Sequence, residues 1–354
     1  MTITEDLRQR VAEALQRSRL QGMALGVARG EDEPAFLCLG ADAHGRPVTE
    51  ESLFPVASIT KLATALAMLR LVDAGALDLD TPLAYYVPEA VAAGHPGVTI
   101  RRMLSHTSGL PIDVTKGSAP YAPGLTWSVL AEACLKTPLE RQPGVQVQYS
   151  NVGYGLLAVG VERQTGQSFP EALDSLVLKP LAIKGYLGPE PPRPPVMLSD
   201  VRGRHAGTDL EPFNSPFWRS LAMPWAGLVT TVRGTLALVR AFAGVPSGFL
   251  KPATRADAVR NQVGELGGGF VRPLIWPRCP WGLGPELRDE KTPHWAPPEA
   301  SPDSFGHSGA SGCVAWADPS ANVAWAILGT RTADNGWLLR RGPEIGTAML
   351  RAAT

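Results

Sequence analysis

The sequence predicts an α/β (α+β) protein: an antiparallel sheet assembled from both ends of the chain and flanked by helices, with a mostly helical insertion between them. Three observations predict it. Strand-like apolar runs occur at 23–28 and 35–39 and again at 314–317 and 323–328. The region from about 60 to 210 repeats its apolar residues at helical spacing and joins them by long loops. Hydrophobic residues make up 44% and charged residues 19% of 354, enough for a packed core. The expected units are 1–57 with 220–354 as the sheet domain and 58–219 as the helical domain, with the functional site in the cleft between them.

Taken in order, 5–19 reads as a helix with Leu7, Val11, Ala14 and Leu15 on one face. Residues 23–28 and 35–39 read as strands around a charged turn. The strongest helical pattern is 61–74, where Leu62, Ala65, Leu66, Leu69 and Val72 recur and Gly75 stops the helix. Thr99 and Thr126 are candidate caps for helices at 100–104 and 127–135. A further helix over 152–165 ends at Gly166, and the proline-rich 188–195 reads as a stiff surface connection. Residues 228–231 read as a strand and 235–243 as a helix. The long stretch 264–304 is rich in Gly, Pro and Trp with little periodicity, which suits a loop that covers a site. The chain closes with a helix over 343–352, proline at its first position.

Composition excludes several functions. Lys+Arg and Asp+Glu balance at 33 each, which gives no support for binding nucleic acid or an anionic membrane. No apolar run approaches the roughly 18–20 residues that span a bilayer. The charged, amphipathic first twenty or so residues lack the apolar core and small-residue cleavage site of a secretory signal, so a cytoplasmic location is expected. Cys38, Cys134, Cys279 and Cys313 are far apart and the histidines form no ligand pair, so neither a disulfide framework nor a metal site is expected, and no cofactor is signalled. Oligomeric state is not specified.

Chemistry concentrates in Ser58-Ile59-Thr60-Lys61. Three residues of helix turn the chain by about 300°, so the hydroxyl and the amine share a face. A serine hydroxyl becomes a nucleophile when a base takes its proton, and a desolvated lysine can be that base. The bland alternatives are an N-cap for Ser58 and a solvated lysine for Lys61. Two further elements follow: Tyr149-Ser150-Asn151 and His307-Ser308-Gly309.

With Phe54-Pro55-Val56-Ala57 before Ser58, Leu104-Ser105-His106-Thr107-Ser108-Gly109-Leu110-Pro111, Pro143-Gly144 ahead of Tyr149-Ser150-Asn151-Val152-Gly153-Tyr154, and Phe305-Gly306 ahead of His307, the chain resembles the serine β-lactamase and penicillin-binding-protein superfamily. It is most similar to the branch of class C β-lactamases, DD-peptidases and family VIII esterases. The resemblance implies a β-lactamase-like fold, with Ser58 as the acylated nucleophile, Lys61 as its base and Tyr149 as a second proton carrier. It implies that Asn151 orients Lys61 or binds the substrate carbonyl. It places His307, Ser308 and Gly309 on a strand beside the cleft, with Gly309 letting the substrate approach the backbone closely and the Ala310 and Ser58 amides forming an oxyanion hole. Many relatives have lysine where this chain has His307. A neutral histidine supplies less charge to a substrate carboxylate, which favours neutral esters.

The expected activity is therefore hydrolysis of a small-molecule ester through a Ser58 acyl-enzyme. Alternatives are the same chemistry as a β-lactamase, D-amino-acid peptidase or amidase, or acyltransferase, and a non-catalytic binding module of the same fold. Ser308, in a near match to the G-x-S-x-G nucleophile elbow, is the competing nucleophile. His106 is read as a packing or hydrogen-bonding residue. Trp276, Trp281 and Trp295 either wall an acyl pocket or anchor their loop.

Overall fold

A computed structural model describes residues 3–353; Met1, Thr2 and Thr354, placed by the sequence reading at the ends of the sheet domain, lie outside the described residues. The main sheet contains β1 (Gly22–Arg29), β2 (Ala35–Gly40), β3 (Glu286–Leu287), β4 (Phe305–Gly309), β5 (Cys313–Asp318) and β6 (Val323–Gly329). Its order is β2-β1-β6-β5-β4-β3, antiparallel throughout, so the two ends of the chain meet where β1 pairs with β6.

Side chains alternate across a strand, and here the alternation sorts residues by size. Met23, Leu25 and Val27 of β1, Val314 and Trp316 of β5, and Val323, Trp325 and Ile327 of β6 point to one face. There they pack against α1 (Glu5–Ser18) and the C-terminal helix Trp337–Ala353. Ala24, Ala28, Ala315, Ala317, Ala324 and Ala326 point to the other face, where their small volume lets the helix Val232–Ala243 approach closely. The insertion supplies α2 (Thr60–Asp73) and the helices Trp127–Lys136 and Asn151–Thr165 to that same core.

The caps follow the sequence. Thr99 Oγ1 accepts from Arg102 N–H, and Gly166 ends its helix in the left-handed region with φ +67°. Most boundaries fall within a residue or two of expectation, and two helices start well before it. The helix expected from 235 begins at Val232, because the Thr231 hydroxyl caps it by accepting from Gly234 N–H at 3.1 Å. The last helix begins at Trp337, and Pro343 lies inside it rather than at its start. Asn335 Oδ1 accepts the Trp337 N–H at 2.9 Å to start the helix. Burial of Trp337, Leu338, Ile345 and Met349 along one face outweighs the backbone hydrogen bond that a proline inside a helix forgoes.

The stretch 264–304 is mostly irregular, as expected, but not loose. Gly268–Gly269 pairs in parallel with Val147–Gln148 and antiparallel with Ile275–Trp276. That places Tyr149 in a small separate core with Val147, Val263, Trp276, Cys279 and Trp281.

Candidate active site

Ser58 lies in a 3-10 turn, Ala57–Ile59, that leads into α2. The turn is fixed from outside: Val56 N–H donates to the Leu228 carbonyl, and Leu228 N–H donates to Thr60 Oγ1, both at 3.0 Å. Ala57 carries a φ of +46°, a conformation that L-residues seldom adopt. Such backbone strain concentrates at functional sites. Val56 and Ile59 occupy the cap positions, so Ser58 is not a helix cap. Its side chain is half-buried at the edge of a cavity.

Lys61 follows one turn later and is fully buried, at 0% exposure, which removes the solvated alternative. Its Nζ donates to Asn151 Oδ1 at 2.8 Å and to the Trp225 carbonyl at 3.0 Å. It also lies 4.5 Å from the centroid of the Tyr149 ring. Among the described residues no carboxylate pairs with it. Burial therefore holds the amine well below its usual pKa, with only the Asp113 charge acting the other way.

Tyr149 is packed between the rings of His106, at 4.5 Å, and Phe270, at 4.2 Å. Burial raises its phenol above the usual range, and the nearby Ser58 hydroxyl acts in the opposite sense. The phenol oxygen is buried without a hydrogen bond of good geometry. His106 holds the segment on both sides of Tyr149: its carbonyl accepts Gln148 N–H at 2.8 Å, and its Nδ1 accepts Ser150 N–H at 3.1 Å. This is the hydrogen-bonding and packing role read from the sequence.

His307 is buried on β4 with its Nδ1 2.6 Å from the Ser308 carbonyl, which assigns the proton to Nδ1. Burial, aided by the Lys61 charge, lowers its pKa to about 4, so the ring is neutral at ordinary pH. Ser308 faces the cavity, but the chain turns after Gly309 straight into β5. No helix follows, so the nucleophile-elbow geometry is absent. Gly309 packs against the turn that carries Ser58: a Cβ there would lie 2.4 Å from the Val56 carbonyl oxygen. The absence of a Cβ at Gly309 is thus required by the chain's own packing.

The structure brings Ser58, Tyr149, Ser308, Gly309 and Ala310 to one cavity of about 510 Å³, with Lys61, Asn151 and His307 around it. Its walls are mainly apolar: Ile112, Phe270, Leu274, Trp295, Leu338 and Leu339. Of the three tryptophans in the long loop, Trp295 is a wall. Trp276 and Trp281 lie beneath and anchor the loop, Trp281 with its edge on His106 at 4.8 Å and its Nε1–H on the Gly284 carbonyl. A second cavity of about 580 Å³ lies elsewhere, but its hydroxyls Ser105 and Thr107 bond each other, and its Arg101 is held by Asp80 and Asp257. Among the described residues no cluster of His, Cys, Asp or Glu could hold a metal ion, and no helix is long and apolar enough to cross a membrane.

Sequence reasoning missed the Trp225 carbonyl, Asp113, Phe270, Leu338 and Leu339. None carries a local signal, because each reaches the site through a loop or helix remote in sequence. Asp113, two residues beyond the Leu110-Pro111 element, was the most accessible of them.

The family model described as Beta-lactamase matches residues 7–343. Esterase EstB of Burkholderia gladioli is 33% identical over 309 residues, covering 77% of this chain and 76% of its own. Penicillin-binding protein 4 of Amycolatopsis lactamdurans is 34% identical over 280 residues, covering 76% of this chain and 68% of its own. Among solved structures, EstCE1, described as a hydrolase with promiscuous acyltransferase activity, superposes with a TM-score of 0.76 at 22% identity, covering 98% of this chain and 99% of its own.

Proposed function

The chain belongs to the Beta-lactamase family, within the serine β-lactamase and penicillin-binding-protein superfamily of hydrolases, and from that premise we propose that it cleaves carboxylic esters through an acyl-enzyme on Ser58. The observation that carries this reading is Lys61. It is a wholly buried amine held by neutral oxygens, one helical turn from a hydroxyl at the edge of an apolar cavity.

In the first step the neutral amine of Lys61 takes the Ser58 proton as Oγ adds to the ester carbonyl. The negative charge that develops on the carbonyl oxygen is held by the backbone amides of Ser58 and Ala310. The tetrahedral adduct collapses, the ester C–O bond breaks, and the departing alkoxide receives a proton relayed from Lys61 through Tyr149. Water then adds to the acyl-serine, giving its proton back along the same relay, and the carboxylic acid leaves with Ser58 restored. Asn151 holds the amine in place throughout. A lowered Lys61 pKa serves this cycle because the amine must be proton-free when it meets the Ser58 hydroxyl.

The substrate reading rests on the apolar walls and on neutral His307, together with the likeness to an esterase. One observation favours a second reading, hydrolysis of carboxylate-bearing β-lactams or peptides. The Arg272 guanidinium sits exposed at the cavity rim and, among the described residues, has no ion-pair partner. Parallel turnover of p-nitrophenyl butyrate and a chromogenic cephalosporin separates the two. We expect the ester to be the faster substrate; rapid cephalosporin turnover without ester turnover would reverse the preference.

A further inference from the structure

Asp113 closes a chain of hydrogen bonds that begins at Lys61. Lys61 Nζ donates to Asn151 Oδ1 at 2.8 Å, and the far end of the same amide, Asn151 Nδ2, donates to Asp113 Oδ1, also at 2.8 Å. The loop that carries Asp113 holds the same segment through its backbone. Asn151 N–H donates to the Ile112 carbonyl at 2.7 Å, and Ser150 Oγ donates to the Pro111 carbonyl at 2.6 Å. Ile112 lines the cavity while Asp113 is exposed on its outer side.

The chemistry of the three groups dictates the arrangement. An ammonium offers only donors, a carboxylate only acceptors, and a primary amide has one end of each kind. An amide set between the other two satisfies both in one orientation only, with its carbonyl toward Lys61 and its NH₂ toward Asp113. Rotated by half a turn, it would oppose donor to donor at Lys61 and acceptor to acceptor at Asp113. The Lys61 end alone does not enforce this, because a proton-free amine can also accept a hydrogen bond.

We propose that Asp113 is a positioning residue that fixes which end of the Asn151 amide faces Lys61. Its consequence for turnover rests on the hydrolase reading above; the placement of the amide does not. Asp113 also acts through its charge. The groups that face Lys61 are the phenols of Tyr149 and Tyr154, the imidazoles of His106 and His307, and this one carboxylate. Burial keeps both phenols protonated and both imidazoles neutral, so Asp113 is the anion that opposes desolvation of the Lys61 ammonium.

Asp113→Asn, Asp113→Ala and Asp113→Glu test this, and the exposed position makes all three compatible with folding. Asn keeps the shape and an acceptor but loses the charge. Its kcat should fall by less than about threefold, while the acid limb of kcat/KM moves to lower pH because Lys61 sheds its proton more readily. Ala loses both: kcat falls about tenfold, as for removal of other outer partners of a functional group, with KM within about twofold and the acid limb again lower. Glu restores the wild-type limb. An acid limb at the wild-type pH in both the Asn and Ala variants overturns the proposal, whatever their kcat. If wild-type protein does not turn over p-nitrophenyl butyrate, the hydrolase reading fails instead. Asp113 is then judged by exchange of the Asn151 side-chain amide protons, followed by ¹⁵N NMR. Protection in wild type that is lost in Asp113→Ala supports the proposal, and equal exchange in the two overturns it.

Discussion

Adding a single methyl group at residue 309 tests how tightly the placement of Ser58 is held. Gly309 has no positive φ, so Gly309→Ala introduces no backbone strain and acts through contact alone. The new Cβ would lie 2.4 Å from the Val56 carbonyl oxygen and 3.4 Å from the Ala57 Cβ. An ordinary contact needs about 3.4 Å, so β4 and the Ser58 turn must separate by roughly 1 Å. Neither side yields freely: β4 is paired with β5 along its length, and the turn is bonded to Leu228. A displacement of about 1 Å between reacting groups costs on the order of 100-fold in rate. Overpacking of this kind costs about 1–3 kcal/mol of stability, which a folded protein of this size survives. We therefore expect p-nitrophenyl butyrate turnover to fall about 100-fold in kcat, with a cooperative melt retained at lower Tm. A variant that keeps kcat within about threefold of wild type would refute the reasoning, since Ser58 would then tolerate the displacement or β4 would not hold it.

Other perturbations follow from the same geometry. Tyr149→Phe should leave Tm within about 1 °C, because the lost hydroxyl makes no good hydrogen bond, yet lower kcat/KM by about 10²–10⁴-fold if it carries protons; melting curves beside ester kinetics check both. Glu286→Gln strands the Lys291 ammonium, which is fully buried and bonded to Glu286 at 2.8 Å, and should cost about 3–5 kcal/mol in urea unfolding. A loss under about 1 kcal/mol would show that the pair is solvated. His307 is held neutral in the folded state with its pKa near 4, against 6.5 in the unfolded chain, so its contribution to stability is present above pH 6.5 and is lost as pH falls toward 4. At pH 4 the loss approaches about 3 kcal/mol at 1.36 kcal/mol per pKa unit. His106 and His294 are buried neutral in the same way, so His307→Asn should reduce, not abolish, the slope of the stability profile between those pH values, and an unchanged slope would contradict the burial of a neutral His307 ring.

The fold was legible where one physical rule dominated. Short continuous apolar runs, buried on both faces, mark 314–317 and 323–328 as strands, and the apolar stripe with Gly75 marks the helix after Ser58. The candidate site was legible where spacing alone brings groups together: Ser58 and Lys61 share a helix face through local geometry. Lys61 and Asn151 are ninety positions apart, and only the family resemblance joined them. What escaped was contact made by irregular backbone. Trp225 reaches Lys61 through a carbonyl, which no side-chain pattern reports. Asp113 and Phe270 sit on loops whose course is set by tertiary pairing, such as that of Gly268–Gly269 with Val147–Gln148. Pro343 misled because the proline rule describes local cost, while burial of Trp337 and Leu338 decided where the helix begins.

The central claim is that Ser58 is acylated. Brief exposure to p-nitrophenyl butyrate or a serine-reactive phosphonate, acid quench, and peptide mapping by mass spectrometry measure it directly. The account predicts one adduct per chain, on the peptide containing Ser58, absent in Ser58→Ala and slowed in Lys61→Met. An adduct on Ser308 in folded wild-type protein, or full labelling of Ser58→Ala, would contradict it.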